Sequence, residues 1–89
     1  MQTKNYIAWL TKKVQKHGLV SIPTVLGNGK GFVVLRVIHR GNTDVIVGRN
    51  SKKQKVFAAH RVGRFFSHDY IENRDFADSL REHAVNKRD

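Results

Sequence analysis

Near the start of the chain, apolar residues recur at the spacing of one helix face. The stripe consists of Tyr6, Ile7, Leu10 and Val14. Side chains three or four residues apart lie on the same side of an α-helix, so the stripe predicts a helix over about residues 3–17. Thr3 is suited to cap its N-terminus, and Gly18 stands where a helix often ends in a left-handed residue.

From about residue 19 to residue 66, the helical spacing gives way to short apolar runs that are rich in β-branched residues. The runs cover residues 20–26, 32–38, 45–47, 56–60 and 62–66. Pro23 removes one backbone donor, so the first run is expected to form a bent or edge strand. Four to five short strands at this spacing, joined by tight turns, are typical of a small, strongly bent antiparallel sheet or barrel.

A second helix is predicted over about residues 69–85. Its apolar stripe consists of Phe76, Leu80 and Ala84. Asp69 and Glu72 have the spacing of a capping box at its start. The pattern therefore predicts a single α+β domain over residues 1–89 that is mainly β. We expect a small antiparallel barrel of four to five strands, flanked by an N-terminal and a C-terminal helix.

A barrel of this size is expected to bury most of the aromatic side chains. Phe65 and Phe66 are neighbours on one predicted strand. Successive strand residues point to opposite faces, so one of the two is expected to face outward. Packing beneath the last helix is the expected role of that side chain. Stacking on a base of single-stranded nucleic acid is the alternative.

The composition fits one small domain and excludes several kinds of site. The chain has 89 residues, of which 39% are hydrophobic, and it has no cysteine. Disulfide bonds, thiolate catalysis and cysteine-ligated zinc are therefore excluded. No apolar run approaches the roughly 20 residues of a membrane span, and no signal-peptide pattern opens the chain. We expect a soluble, cytoplasmic protein with no membrane partner.

Basic residues dominate the first two thirds of the chain. Residues 1–64 carry thirteen lysine and arginine residues against a single carboxylate, Asp44, whereas residues 65–89 carry four bases and six acids. Solubility in a small domain requires a net charge of only about 2–8. An excess of this size in one part of the chain favours a polyanionic partner, nucleic acid before an acidic protein.

The candidate chemistry of the chain does not favour catalysis. The segment GNGKG lacks the spacing of a nucleotide-binding P-loop and is expected to form a turn with Lys30 near its tip. The five histidines show no HxH or HExxH arrangement, and most carboxylates lie in the last helix, apart from the basic region. We therefore expect no enzyme activity, no cofactor and no metal.

Two stretches carry a resemblance to a known family. NYIAWLTKKVQKHGLVSIPTVLGNG holds a short basic helix, a strand and an Asn-Gly turn, and VFAAHRVGRFF holds two strands with a histidine between them. Together they resemble the Hfq branch of the Sm-like proteins. The resemblance implies a hexameric ring that binds uridine-rich RNA near its pore, with His60 in the binding motif. Ala58 and Ala59 depart from the polar or basic residues that the family prefers there.

A second resemblance involves the middle of the chain. The segment GNGKGFVVLRVIHRGNTDVIVGRN is similar to the motif of KOW-type barrels in ribosomal and transcription-elongation proteins. That resemblance implies contacts by Lys30, Arg36 and Arg49. Both families have an SH3-like barrel, and both commonly bind RNA. Together they imply an SH3-like or Sm-like fold, and they favour RNA over DNA.

The candidate nucleic-acid contacts are basic side chains of the first helix and the strand region, with one histidine. They are Lys12, Lys13, Lys16, Lys30, Arg36, Arg40, Arg49, Lys52, Lys53, Lys55, His60, Arg61 and Arg64. The loop from Arg49 to Lys55 is the densest group. Two alternatives stay open: a regulator or architectural protein that binds duplex DNA, and an adaptor or inhibitor that binds an acidic protein. The C-terminal helix is a candidate surface for a protein partner, and a homo-oligomer is compatible with the implied ring.

Overall fold

The two helices enclose a run of five strands along the chain. The computed structural model describes residues 2–25, 31–68 and 70–87. Its elements are α1 (Thr3–His17), β1 (Val20–Ile22), β2 (Phe32–Arg40), β3 (Thr43–Arg49), β4 (Lys55–Arg61), β5 (Arg64–Phe66) and α2 (Ile71–Asn86). The predicted α+β class with two flanking helices is confirmed. Lys30, with most of the predicted GNGKG turn, and Asp69 lie outside the described residues.

Helix α1 is amphipathic, and its apolar stripe lies in the core. The buried residues of the stripe are Tyr6, Ile7 and Leu10. The helix ends at Gly18, whose φ of 81° is accessible to glycine at little cost, and the N–H of Gly18 donates to the carbonyl oxygen of Val14. The predicted N-cap is wrong. Thr3 is already helical, Gln2 occupies the cap position, and no side chain caps this end.

The five strands form one antiparallel sheet in the order β1-β2-β3-β4-β5. The register of β2 against β3 shifts between Val34 and Arg36, where an extra residue bends the strand. The terminal strands β1 and β5 have three residues each and pair with one neighbour each. The sheet is therefore an open, curled half-barrel, and the prediction of a closed barrel is wrong in this respect.

Helix α2 lies across the open side of the half-barrel, where it contacts β1, β4 and β5. The backbone N–H of Phe57 in β4 donates to Oδ1 of Asn73 at 3.0 Å. The guanidinium group of Arg81 donates to the carbonyl oxygen of Phe65 in β5, also at 3.0 Å. Buried backbone groups need such partners. Helix α2 thus forms hydrogen bonds with backbone groups of β4 and β5 that would otherwise require another strand as partner. These groups are satisfied although the sheet is open.

Both helices pack on the same face of the sheet, which we call the inner face. Its buried residues are Phe32, Val34, Ile46, Val56, Ala58 and Phe65, and those of α2 are Phe76, Ala77, Leu80 and Ala84. The rings of Phe32 and Phe76 are in contact, with centroids 5.2 Å apart. Side chains alternate along a strand, so the residues between the inner ones point to the opposite face, which neither helix covers.

The two helices also contact each other through a group of aromatic side chains. Oη of Tyr6 and Nδ1 of His83 form a hydrogen bond at 2.8 Å, and Trp9 stacks on Tyr6 with ring centroids 5.7 Å apart. Burial raises the pKa of Tyr6, and burial together with the charge of Lys87 lowers the pKa of His83. Both shifts favour the neutral forms of the phenol and the imidazole. Within the described ranges, neither helix combines the length and apolar character needed to cross a membrane.

Candidate nucleic-acid interface

The face of the sheet that points away from the helices, which we call the outer face, is formed by alternate residues of β2 to β5. The strand register aligns these residues in four rows that run across the sheet. The first row holds Val33, Arg49 and Lys55; the second Arg36, Val47 and Phe57; the third Ile38, Val45, Ala59 and Phe66; and the fourth Arg40, Thr43, Arg61 and Arg64. Neighbours within a row are about 5 Å apart, and successive rows are about 7 Å apart.

The two middle rows of the outer face are largely apolar and contain two exposed aromatic rings. Phe57 is 39% exposed and Phe66 is 49% exposed. Val56 and Ala58 point into the core, so Phe57 between them must point outward. Phe66 points outward because Phe65 is buried, which confirms that one of this pair faces out. The expectation that the outward ring packs beneath the last helix is wrong, because Phe66 remains half exposed.

The first and fourth rows are cationic, and each places like charges directly opposite one another. Arg49 is paired with Lys55, and Arg61 is paired with Arg64. Opposed like charges destabilise a sheet, by about 0.2–1 kcal/mol a pair. None of the positions in the four rows is an aspartate or a glutamate. The repulsion is therefore not offset within the outer face, and an external anion would relieve it.

A strained two-residue turn holds Arg61 opposite Arg64. Val62 and Gly63 both have positive φ, 51° and 75°, as in a type I′ hairpin turn. A β-branched residue rarely adopts this conformation, and Val62 is 86% exposed, so burial does not account for it. The strand predicted from residue 62 consequently begins two residues later, at Arg64.

Asn50 orders the loop that carries Lys52 and Lys53 beside the first row. Its Oδ1 accepts hydrogen bonds from the backbone N–H groups of Lys52 and Gln54, at 2.9 and 3.0 Å. Its Nδ2 donates to Oε2 of Glu72 at 3.2 Å, which connects the loop to α2. Lys52 and Lys53 are exposed, and they extend the positive charge of the first row past the end of the sheet.

The structure places the thirteen predicted contacts in several locations. Six lie in the rows of the outer face, and two more, Lys52 and Lys53, lie at its end. The predicted lysines of α1 do not join them, because α1 packs against the inner face; they are Lys12, Lys13 and Lys16. His60 is 6% exposed and points into the core, so it does not lie on the outer face. Lys30 lies outside the described residues.

His60 belongs to a second polar group, at the end of the inner face. Nδ1 of His60 and Nδ1 of His39 donate to the two carboxylate oxygens of Asp44, at 3.0 and 2.6 Å. Oγ1 of Thr11 lies 3.3 Å from Nε2 of His39. The group therefore joins α1 to three strands. Two histidines can act as the acid and the base of a reaction only if both contact the substrate. Because His60 is buried, His39 and His60 cannot form such a pair. Over the described ranges, no cluster of three or more histidine, aspartate or glutamate side chains could hold a metal ion.

Asp44→Asn is expected to lower the free energy of unfolding by about 1–3 kcal/mol at pH 7. A carboxylate has two acceptor oxygens and an amide has one, so one imidazole N–H would lose its partner. Urea denaturation measures the loss. The control is Asp78→Asn, whose side chain is 53% exposed and which should stay within about 0.5 kcal/mol of wild type. Equal stability of the two variants would contradict a structural role for Asp44.

The same carboxylate gives the protein a pH-dependent stability. Burial alone would raise the pKa of Asp44, but hydrogen bonds from His39 and His60, and the charges of these residues, hold it below its ordinary value. Such a group binds fewer protons in the folded state than in the unfolded state. Its contribution is therefore present above about pH 4 and lost as the pH falls further. Below that pH, wild type is expected to lose stability more steeply than Asp44→Asn.

Comparison with models of known protein families, with curated proteins and with solved structures gives no match. Sequence reasoning did not assign Val45, Phe57 or Ala59 to a site. The available signal was the run VFAA in β4, which is apolar at every position. Such a run is typical of a strand with apolar surroundings on both faces.

Proposed function

We propose that the protein binds nucleic acid through the outer face of its sheet, with RNA preferred to duplex DNA, and that it does so without catalysis. The two pairs of opposed like charges carry this proposal: Arg49 with Lys55, and Arg61 with Arg64. Each pair lowers the stability of the free protein, and an anion over the pair reverses that effect. A polynucleotide supplies several linked phosphates, so one molecule can neutralise both rows.

The preference for RNA has two supports. The small, curled, five-stranded sheet with its N-terminal helix is compatible with the resemblance to Sm-like and KOW-type barrels, families that commonly bind RNA. The exposed rings of Phe57 and Phe66 lie between the cationic rows and offer stacking surfaces for unpaired bases. The cations themselves would position phosphates and contribute little to the choice of base.

Fluorescence anisotropy with three labelled probes of equal length tests this function. The probes are single-stranded RNA, single-stranded DNA and duplex DNA, each titrated at 50 and 200 mM salt. We expect RNA to bind most tightly, with a slope of log affinity against log salt of about −4 if six cations each contact a phosphate of the single strand. That slope is a loss of about 300-fold between the two salt concentrations. The labelled RNA should stay intact with and without magnesium.

Each other outcome would replace part of the proposal. Tighter binding to the duplex would favour a regulator or architectural protein of DNA. Binding no better than roughly 10⁻⁴ M to all three probes at 200 mM salt would leave only non-specific attraction. The adaptor that binds an acidic protein would then be the better hypothesis. Cleavage of the RNA by the purified protein would contradict the absence of catalysis.

A further inference from the structure

A pocket of about 140 Å³ opens on the outer face between the rings of Phe57 and Phe66. Val45 and Ala59 also line it, and Ser67 and His68 add polar groups. Ala59 is the reason for the cavity. It is paired with both Val45 and Phe66, and its methyl group leaves space where a larger side chain would fill the row.

The pocket is bordered by the cations of the fourth row. Arg61 lies two residues after Ala59 on β4, and Arg64 lies two residues before Phe66 on β5. Residues two apart on a strand point to the same face and are about 7 Å apart. An apolar cavity that could hold a flat ring is therefore next to a pair of arginines that would bind a phosphate.

We propose that this pocket receives an unpaired base of a single-stranded nucleic acid, which contacts the rings of both Phe57 and Phe66 while its phosphate is bound by Arg61 and Arg64. The inference rests on the proposed function and narrows its ligand. Charge complementarity selects a polyanion, since the face has cations and no carboxylate. The exposed rings favour a polyanion whose bases are unpaired and free to stack on them. The bases of a duplex are already stacked and paired, so a duplex would have to extrude a base at an energetic cost.

Two polar residues of the pocket, Ser67 and His68, complete the match to a nucleobase. A base has an apolar face for stacking and polar edges for hydrogen bonds, and the pocket is lined mainly by apolar residues, with Ser67 and His68 as its polar residues. An aliphatic side chain of a protein partner could pack against the two rings, but it could not form hydrogen bonds with Ser67 and His68.

Anisotropy titrations with two RNA probes test the inference: a labelled single strand, and an abasic strand of the same length that keeps every phosphate. Phe57→Ala and Phe66→Ala are each expected to weaken binding of the intact strand about 5- to 150-fold. The same variants should bind the abasic strand within about twofold of wild type. Ala59→Leu, which fills the pocket and changes no charge, should act in the same direction. The loss should be similar at 50 and 200 mM salt, because no phosphate contact is removed.

Val85→Ala is the matched control, because it shortens a side chain that is 66% exposed on α2. All four variants alter exposed or half-buried positions, and thermal melting verifies that each is folded. If the phenylalanine variants bound intact RNA as tightly as Val85→Ala, the base pocket would be wrong while the proposed function stood. Equal losses on both probes would also overturn it. If wild type bound neither probe, the proposed function itself would fail.

Discussion

Removing four cations from the outer face is expected to weaken binding of single-stranded RNA about a hundredfold at 200 mM salt, and about 4,000-fold at 50 mM. The replaced residues are Arg49, Lys55, Arg61 and Arg64, each changed to glutamine. A phosphate contact on a single strand adds about 0.7 to the slope of log affinity against log salt, so the slope should fall by about 2.8. Salt titrations by fluorescence anisotropy measure both quantities.

The stability of this variant should change in the opposite direction. The substitutions remove both pairs of opposed like charges, so the free energy of unfolding is expected to rise by about 0.4–2 kcal/mol. A variant that lost affinity through misfolding would lose stability as well. Weaker binding in a more stable protein therefore identifies the cations as binding groups.

A second variant on α1 controls for overall charge. It replaces the exposed or half-exposed lysines of the helix, Lys12, Lys13 and Lys16, with glutamine. Because α1 packs on the inner face, the slope should stay close to that of wild type. If the helix variant and the outer-face variant showed the same decrease in the salt slope for each charge removed, the RNA would be attracted by the net charge of the protein. The outer face would then not be the interface.

The helices and strands could be predicted from the sequence because local spacing determines them. The stripe of α1 and the β-branched runs need no knowledge of distant residues. The open sheet could not be predicted in this way. Whether β1 meets β5 depends on contacts between residues that are far apart in the chain. They include the hydrogen bond that Asn73 of α2 accepts from β4 and the one that Arg81 of α2 donates to β5. Those contacts have no local pattern.

The candidate interface could be predicted only in part. The sequence shows that the strands carry many cations, but the strand register determines which of them share one face of the sheet. Val34 and Arg36 are two residues apart, so an uninterrupted strand would place both on the inner face. The extra residue between them turns Arg36 outward, opposite Val47. Arg61 and Arg64 meet only because Val62 adopts a conformation that valine disfavours. Neither event can be read from hydrophobic spacing.

Gly48→Ala is expected to lower the free energy of unfolding by about 3 kcal/mol, which is a fall of about 12–24 °C in melting temperature. An added Cβ would lie 2.5 Å from the carbonyl oxygen of Val33 and 2.9 Å from Cζ of Phe76. The first atom belongs to the backbone of β2, and the second to a ring that is fully buried against Phe32. Neither can withdraw without opening the sheet or displacing α2. Thermal melting followed by circular dichroism measures the loss.

The control for Gly48 is Gly41→Ala in the turn between β2 and β3. A Cβ at Gly41 would meet nothing within 4 Å, so the cost there is only that of a φ of 55°, about 1–2 kcal/mol. A double-mutant cycle locates the strain: Phe76→Leu should cost less beside Gly48→Ala than in wild type. A Gly48→Ala variant that melts within about 4 °C of wild type would contradict this close packing. Gly48 lies between Val47 and Arg49 of the outer face, so its contact with α2 holds β3 in the register that presents the cations.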